Sequence, residues 1–272
     1  DIGMVMRILT ASGYSETDAT VLYGQLSGKY VTLTTLPVAI SSSIATAVLP
    51  SIAASNRLGE RKQVNRKMNL SMIISVPAAV GIGVLGPQII AMLFPKASDG
   101  GVLLTVGAIS IIFLALCQTA TGILQGIGHI RVPVVGALLG AVMKVILNAI
   151  LIPIPALNII GAVLSTTGCY VVASIFDVYM LSRITKVRFD FKRILVKPIL
   201  GSIVMGIAAL GVYYGLYHFV PSNTLCTLVA IVLAMVVYGV IMLIIGGIQE
   251  EDLQSIPMGG RLIRLSKKMH LM

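Results

Sequence analysis

Charged residues are scarce in this sequence: Asp, Glu, Lys and Arg make up only 11% of its 272 residues, against about 25% in soluble domains. Such a chain cannot cover a water-exposed surface, so a soluble globular protein is excluded. Apolar residues make up 57% of the chain and mean hydropathy is +0.97. The apolar runs reach the roughly 18–20 residues that cross a hydrocarbon core of ~30 Å as a helix. We therefore predict an all-α, polytopic membrane helix bundle.

The sequence also lacks the residue patterns of disulfide, metal and catalytic sites. Its three cysteines, Cys117, Cys169 and Cys226, lie far apart within apolar runs and fit neither a disulfide framework nor zinc-ligand spacing. We interpret them as small packing residues. A glycine-rich phosphate loop, an HExxH motif, a GxSxG elbow and a cluster of carboxylates are all missing. An ATP-driven pump and a membrane hydrolase are therefore not supported, and we expect no enzymatic activity, cofactor or metal.

Seven full spans and one partial helix account for most of the chain. The opening Asp1-Ile2-Gly3-Met4 has neither an initiator Met nor the basic start of a signal peptide, so residues 1–11 are predicted to be the end of a truncated transmembrane helix. A membrane lobe follows over residues 12–249, beginning with a polar loop at 12–19, and residues 250–272 form a tail. Gly86-Pro87 is expected to end the second span, before a short interfacial segment at 88–94. The predicted full spans are 23–53, 68–86, 101–126, 132–152, 159–182, 195–219 and 224–247.

Sixteen of the 20 Lys and Arg residues fall on one side of this arrangement. If the loop at 12–19 is external, the external loops hold only Lys96. The opposite loops and the tail hold Arg57, Arg61, Lys62, Arg66, Lys67, Arg131, Arg183, Lys186, Arg188, Lys192, Arg193, Lys197, Arg261, Arg264, Lys267 and Lys268. Because Lys and Arg in short loops mark the cytoplasmic side, the tail and the C-terminus are predicted to be cytoplasmic. The net charge of +10 then reflects topology and contact with anionic headgroups, not nucleic-acid binding.

The fourth span carries a polar face near mid-membrane. Gly136, Gly140, Lys144 and Asn148 recur every four residues and therefore share one side of the helix. A lysine at the bilayer centre costs roughly 2.5–3.5 kcal/mol even on the lenient scale. We therefore expect this face to line a hydrated cavity or to meet an acidic partner. The alternative is small-residue helix packing with a structurally paired lysine.

Two other spans carry polar stripes. The stripe of the first span has Lys29 beside it and consists of Gly28, Thr32, Thr35, Ala39, Ser42 and Thr46. The stripe of the third span consists of Gln118, Gly122, Gln125 and His129. Such stripes are typical of cavity walls and also of ordinary helix packing, and both readings stay open. We interpret His129, near the cytoplasmic end, as an interfacial residue instead of a proton relay.

Asp177 is the single acidic residue inside a full span, towards the inner end of the fifth. Three roles are open for it: pairing with a cation, forming a proton or sodium site, or contacting the interfacial Arg183. The sixth and seventh spans carry almost no polar residues away from their ends. We expect them to face lipid or to hold an apolar ligand.

Several motifs resemble the C-terminal half of the stage V sporulation protein B-like family. This family belongs to the multidrug/oligosaccharidyl-lipid/polysaccharide exporter superfamily, which includes the lipid II flippases. The likeness covers essentially the whole chain, and it rests on the order and spacing of the motifs more than on any one of them. The motifs are Gly13-Tyr14-Ser15, residues 19–28, Leu36-Pro37, residues 47–53 before a basic loop, Gly122-Ile123-Leu124-Gln125-Gly126-Ile127-Gly128, Glu251-Asp252-Leu253 and Ile256-Pro257.

The resemblance implies a fold and a function. Family members have fourteen helices in two pseudo-symmetric lobes around a central cavity, and they move undecaprenyl-linked saccharides across the plasma membrane by alternating access without an ATP site of their own. This chain would be the end of helix seven followed by helices eight to fourteen, so the N-terminal lobe would be a missing partner. Arg7 matches an Arg at the outer end of helix seven, which suits a pyrophosphate. Lys29 and Lys144 are further candidates because of the helix faces on which they lie. The candidate substrate-binding residues are Arg7, Lys29, Thr32, Thr35, Gln118, Gln125, Lys144 and Asn148.

Two rival functions remain. A cation-coupled drug or solute exporter of the same superfamily would rely on intramembrane acids, for which Asp177 is the one candidate. A non-transporting scaffold for cell-wall synthesis enzymes would have no use for Lys144 in the middle of a span. The sequence therefore favours one lobe of a bacterial plasma-membrane flippase whose partners are a lipid-linked saccharide and membrane lipids.

The charge asymmetry makes a prediction about topology. Reporters fused after residues 60 and 190 and at the C-terminus should read cytoplasmic, because those loops hold almost all of the basic residues. Reporters near residues 97 and 156 should read external. A cytoplasmic signal at residue 97 would contradict the whole alternation.

Overall fold

The computed structural model describes residues 2–47 and 57–247, and this part of the chain is helical without any strand. Two short π-helical segments, π1 (Gln25–Val31) and π2 (Lys192–Val196), lead directly into α-helices. The structure confirms the predicted all-helical membrane bundle. The α-helices are α1 (Ile2–Ala11), α2 (Glu16–Gly24), α3 (Thr32–Ala47), α4 (Arg57–Leu93), α5 (Gly101–Gly107), α6 (Ser110–Gly126), α7 (Arg131–Leu151), α8 (Ile159–Thr185), α9 (Lys197–Phe219) and α10 (Asn223–Ile244).

Five helices of the described residues are long and apolar enough to cross a membrane, and a sixth span is formed if α5 and α6 are counted together. The five are 61–93 of α4, α7, α8, π2 with α9, and α10. The first predicted span is not among them, although α2, π1 and α3 run on without a break from Glu16 to Ala47. This helix carries the hydroxyl stripe and Lys29, which lower its hydropathy, and its predicted end at 48–53 lies outside the described residues. The tail at 250–272 also lies outside them.

Two predicted boundaries were wrong. The loop at 12–19 is shorter, because the Ser15 hydroxyl accepts a hydrogen bond from the Asp18 amide (3.1 Å) and caps α2, which begins at Glu16. The second span does not end at Gly86-Pro87: α4 bends at Leu85 (φ −104°, ψ 15°) and continues to Leu93. Proline removes one backbone hydrogen bond and its ring presses on the preceding turn, so it bends this helix without ending it. The segment 88–94 is therefore mostly the last part of α4, not a separate interfacial piece.

α5 and α6 meet at a bend of 54° in the first half of the predicted third span. Tyr30 of π1 fills this bend: its ring lies against Gly107, and its buried hydroxyl makes a 2.8 Å hydrogen bond with Ser110. On the other side, a Cβ on Gly107 would lie 2.6 Å from a methyl group of Val163 in α8. The bend thus depends on a residue without a side chain at position 107.

The helices pack as two groups around α4. α3, α6 and α8 surround one apolar core on α4, which includes Met68, Met72 and Ile111. α9 and α10 form a pair that packs on another side of α4, where Gly206 of α9 lies against Val80 and the Tyr238 hydroxyl of α10 donates to the Ile73 carbonyl (2.9 Å). α7 packs mainly on α8 and exposes most of its apolar surface. The outward surfaces of α7, α9 and α10 are consistent with contact to lipid.

The close fit at Gly107 makes a prediction about stability. Gly107→Ala should destabilise the protein by about 1–3 kcal/mol, the usual cost of an overpacked core, because the new methyl group collides with Tyr30 and Val163. Gly122→Ala in α6 is the matched control, since a Cβ there meets nothing within 4 Å and alanine improves helix propensity by up to ~1 kcal/mol. Thermal unfolding of both variants in detergent measures the difference, and equal midpoints would contradict this account of the bend.

Candidate functional site

α3 and α6 pack on α4 and on each other, and both helices expose polar residues. Both helices are attached to α4 by one hydroxyl cluster: the Ser71 hydroxyl lies 2.8 Å from the Ser41 hydroxyl of α3 and accepts a 2.8 Å hydrogen bond from Thr119 of α6. Thr32 is nine positions from Ser41, which places it on the opposite side of that helix at ~100° per residue. Gln118 and Gln125 of α6 are exposed, and Gly28 and Gly122 are open to space. We call the surface formed by Gly28, Thr32, Thr35, Gln118, Gly122 and Gln125 the polar face.

The polar face combines members of two predicted stripes, whereas Gly136, Gly140 and Asn148 of the predicted stripe on α7 are buried. Thr32 is exposed and Thr35 half-buried, and the Thr35 hydroxyl bonds back to the Val31 carbonyl (2.9 Å). Arg7 is exposed on α1, on the side away from the buried Val5 and Leu9. These residues of the two stripes are therefore not packed against another helix of the described chain.

Lys29 lies at one end of this region and is engaged by the protein. Its ammonium donates to the carbonyls of Ala97 (2.5 Å) and Asp99 (2.8 Å) and lies 5.4 Å from the centre of the Phe94 ring. Lys29 therefore ties π1 to the loop between α4 and α5, which the charge pattern places outside. Two of its three N–H donors are used there, and one is left for any ligand.

The predicted polar face of α7 is mostly a packing face against α8. A Cβ on Gly136 would collide with Asp177, and one on Gly140 would lie 2.8 Å from the Cys169 carbonyl oxygen. Asn148 is buried, with its amide nitrogen 4.0 Å from the Met4 sulfur of α1. Glycines allow two helix backbones to approach closely, so small-residue packing explains Gly136 and Gly140. An acidic residue, Asp177, does lie against α7. It meets Gly136, however, which is about two helical turns from Lys144.

Lys144 is half-buried on α7, one turn from Gly140, whose backbone packs against Cys169 of α8. α6 and α7 both pack extensively on α8 but touch each other only sparsely. Lys144 therefore belongs to the side of α7 that carries the two packing glycines.

Asp177 is enclosed where α6, α7 and α8 meet. Its side chain is 1% exposed, and one carboxylate oxygen accepts a 3.0 Å hydrogen bond from the Thr121 hydroxyl and a weak contact from the Cys117 sulfur (3.7 Å). The other oxygen lies against Gly136 without a hydrogen-bond partner. Arg183, one of the expected partners, instead lies over the Tyr179 ring, 5.3 Å from its centre. The interfacial contact with Arg183 is therefore not formed.

The hydroxyl cluster of Ser41, Ser71 and Thr119 could not be found from the sequence pattern. Ser41, Ser71 and Thr119 are all buried, and none of them belongs to a predicted stripe. A polar residue within an apolar span is a signal in itself. Which of these residues meet, however, depends on helix contacts that one sequence does not show.

Comparison with known proteins identifies the family. The family model described as "Lipid II flippase MurJ" matches residues 29–238. The chain is 28% identical over 236 residues to the uncharacterized membrane protein YabM of Bacillus subtilis (83% of this chain, 43% of that protein). It is 24% identical over 266 residues to stage V sporulation protein B of the same organism (96% and 50%).

A solved structure agrees with the fold. The chain aligns with a lipid II flippase MurJ in an inward closed conformation with a TM-score of 0.68 and 19% sequence identity, covering 88% of this chain and 51% of that one. The chain thus spans about half the length of the proteins that it matches. The family match covers most of this multi-pass helical membrane protein. The chain therefore belongs to the lipid II flippase MurJ family.

Proposed function

We propose that this chain is the C-terminal lobe of a transporter that moves an undecaprenyl-linked saccharide across the bacterial plasma membrane by alternating access. The observation that carries the proposal is the polar face, which an otherwise apolar lobe leaves open along α3 and α6. A polar surface at membrane depth is stable only against protein or water. A second lobe opposite this face would enclose a hydrated cavity, with the site between two rocking elements.

The chemistry of the residues around this cavity suits a pyrophosphate with attached sugars. Arg7 and Lys144 supply positive charge, and Gln118, Gln125 and Thr32 supply hydrogen bonds for hydroxyl and amide groups. Lys29 would act at the external end, because its ammonium is held by the loop carbonyls there. Thr35 and Asn148 complete the proposed set, Thr35 on the polar face and Asn148 on α7, where it is buried against Met4 of α1. The polyprenyl tail would stay in lipid, beside apolar helices such as α9 and α10.

The contacts of Asp177 are better explained by a structural role in supporting this site than by a role in cation-coupled export. It joins α6 and α7 across α8 through Thr121 and Gly136, and the contacts that the structure gives it are a hydroxyl and a thiol. A proton bound by Asp177 would alter that junction, and we keep proton coupling as a secondary proposal for the same transporter. A scaffold without transport would not need the open polar face. We further propose that the tail and C-terminus are cytoplasmic and that the protein acts as a transporter, not as an enzyme.

The polar face makes a prediction about transport. In the full two-lobed protein, Gln118→Ala combined with Gln125→Ala should lower translocation on the order of tenfold, since losing hydrogen bonds worth about 1.4 kcal/mol corresponds to that factor. Leu138→Ala combined with Val142→Ala is the matched control, because both residues are exposed on the apolar side of α7. Transport of a labelled polyprenyl-linked saccharide in proteoliposomes is the readout. Unchanged transport by the glutamine variant, with the protein inserted normally, would remove the polar face from the mechanism.

The requirement for two lobes makes a second prediction. The 272-residue chain reconstituted by itself should not translocate the labelled substrate, because the polar face would have no opposite wall. Adding a separately expressed N-terminal lobe should restore transport. Robust transport by a demonstrated monomer would contradict the two-lobed mechanism, and activity found only in a dimer would replace the missing lobe with a second copy.

A further inference from the structure

A second concave site lies on the other side of α6. It is a pocket of about 600 Å³ between α4, α6, α8 and the segment that follows α8, within the range of roughly 300–1,000 Å³ typical of small-molecule sites. Its wall is largely apolar, with Met68, Phe113, Leu116, Val178, Phe189 and Ile194 among the lining residues. The pocket is therefore suited to a hydrocarbon chain.

The pocket is separate from the polar face. Leu116 lines the pocket, whereas Gln118 and Gln125 belong to the polar face. At ~100° per residue, Gln118 is rotated by about 200° and Gln125 by about 180° from Leu116 around α6. A ligand in the pocket would thus contact the outer side of the lobe and would not enter the proposed transport cavity.

The pocket runs along α8 towards a basic end. Its lining extends from Ser174 to Ser182, roughly 12 Å along the helix at ~1.5 Å per residue. α8 ends at Thr185, and the exposed Arg188 lines the pocket just beyond it. Arg183 lies over Tyr179, another lining residue. An apolar groove with positive charge at one end matches an acyl chain with an anionic headgroup.

The surrounding charges favour an anion at this end. Between residues 183 and 193 the chain carries Arg183, Lys186, Arg188, Lys192 and Arg193 against one acid, Asp190. The Asp190 carboxylate accepts a hydrogen bond from the Arg193 amide (3.3 Å) at the start of π2, so it serves as a local cap. By the predicted topology this end faces the cytoplasm, where each basic residue near an anionic membrane surface contributes about 1 kcal/mol.

We propose that this pocket binds one anionic phospholipid of the cytoplasmic leaflet, with an acyl chain along α8 and the headgroup phosphate at Arg188. Bilayer lipid is the occupant because α4, α6 and α8 lie within the membrane and the apolar wall opens there. The lipid fills the space between α8 and the segment 188–195, and it thereby braces the start of α9. Anionic lipid should consequently stabilise the protein more than a zwitterionic lipid with the same acyl chains.

The test measures lipid binding and does not depend on transport. Native mass spectrometry of the purified full-length protein counts bound phosphatidylglycerol and phosphatidylcholine with identical acyl chains. Arg188→Gln should weaken phosphatidylglycerol binding about fivefold, the factor that corresponds to ~1 kcal/mol for one basic residue, and leave phosphatidylcholine unchanged. Arg131→Gln is the matched control, because it removes one exposed charge from the start of α7, on the same predicted side.

A second variant and a truncation complete the test. Val178→Trp should fill the pocket and lower the binding of both lipids, and its thermal unfolding midpoint shows whether it still folds. A photoreactive acyl chain on phosphatidylglycerol should crosslink to α8 or to residues 188–195. Equal effects of Arg188→Gln and Arg131→Gln, or no preference for phosphatidylglycerol, would overturn the proposal. So would a marked gain of crosslinking after removal of residues 248–272, since the tail would then be the occupant.

Discussion

The Ser71 side chain of α4 joins the two helices that carry the polar face. Its hydroxyl lies 2.8 Å from Ser41 of α3 and accepts from Thr119 of α6 at the same distance. A hydroxyl within the bilayer needs a protein partner because no water is available there, and these three residues satisfy one another. Their pairing determines which sides of α3 and α6 are buried. Thr32, on the opposite side of α3 from Ser41, and Gln118, about 100° around α6 from Thr119, are left exposed.

Close packing of α7 on α8 positions the other side of the site. Gly136 and Gly140 let the helices approach until Asp177 and the Cys169 carbonyl touch the α7 backbone. Thr121 then ties α6 to the same junction through the Asp177 carboxylate. α6 and α7 are both held on α8 in this way, and the half-buried Lys144 shares the side of α7 that carries the two glycines.

α6 separates two surfaces with different chemistry. One side presents Gln118 and Gln125 to the proposed cavity, and the other contributes Phe113 and Leu116 to the apolar pocket. A polar wall suits the saccharide and pyrophosphate of a transported molecule, whereas an apolar groove ending at Arg188 suits a resident lipid. Movement of α6 in alternating access would alter both surfaces at once, which gives bound lipid a physical route to influence transport.

Much of the molecule follows from the order of its residues. The scarcity of charge determined the helical membrane class, since long apolar runs can satisfy their backbone in lipid only as helices. The periodic polar residues include Thr32, Gln118 and Gln125, which the structure leaves exposed; their role in binding stays a prediction. The motif order indicated the family, which the match over residues 29–238 confirmed. Span limits were less certain, because Pro87 bends α4 and a proline in a membrane helix does not by itself decide between a bend and an end.

Only the tertiary structure decided which faces meet. Gly136, Gly140, Lys144 and Asn148 share one side of α7, yet the glycines pack on α8, Asn148 is buried near α1 and Lys144 is only half-buried. Helical periodicity gives the side of a helix on which a residue lies, but it does not name the neighbour on that side. The same limit hid the Ser41–Ser71–Thr119 cluster and the pocket beside Arg188, since each is formed by residues from at least three separate helices or segments. The sequence determined what each helix presents, and contacts between distant segments determined what each surface can bind.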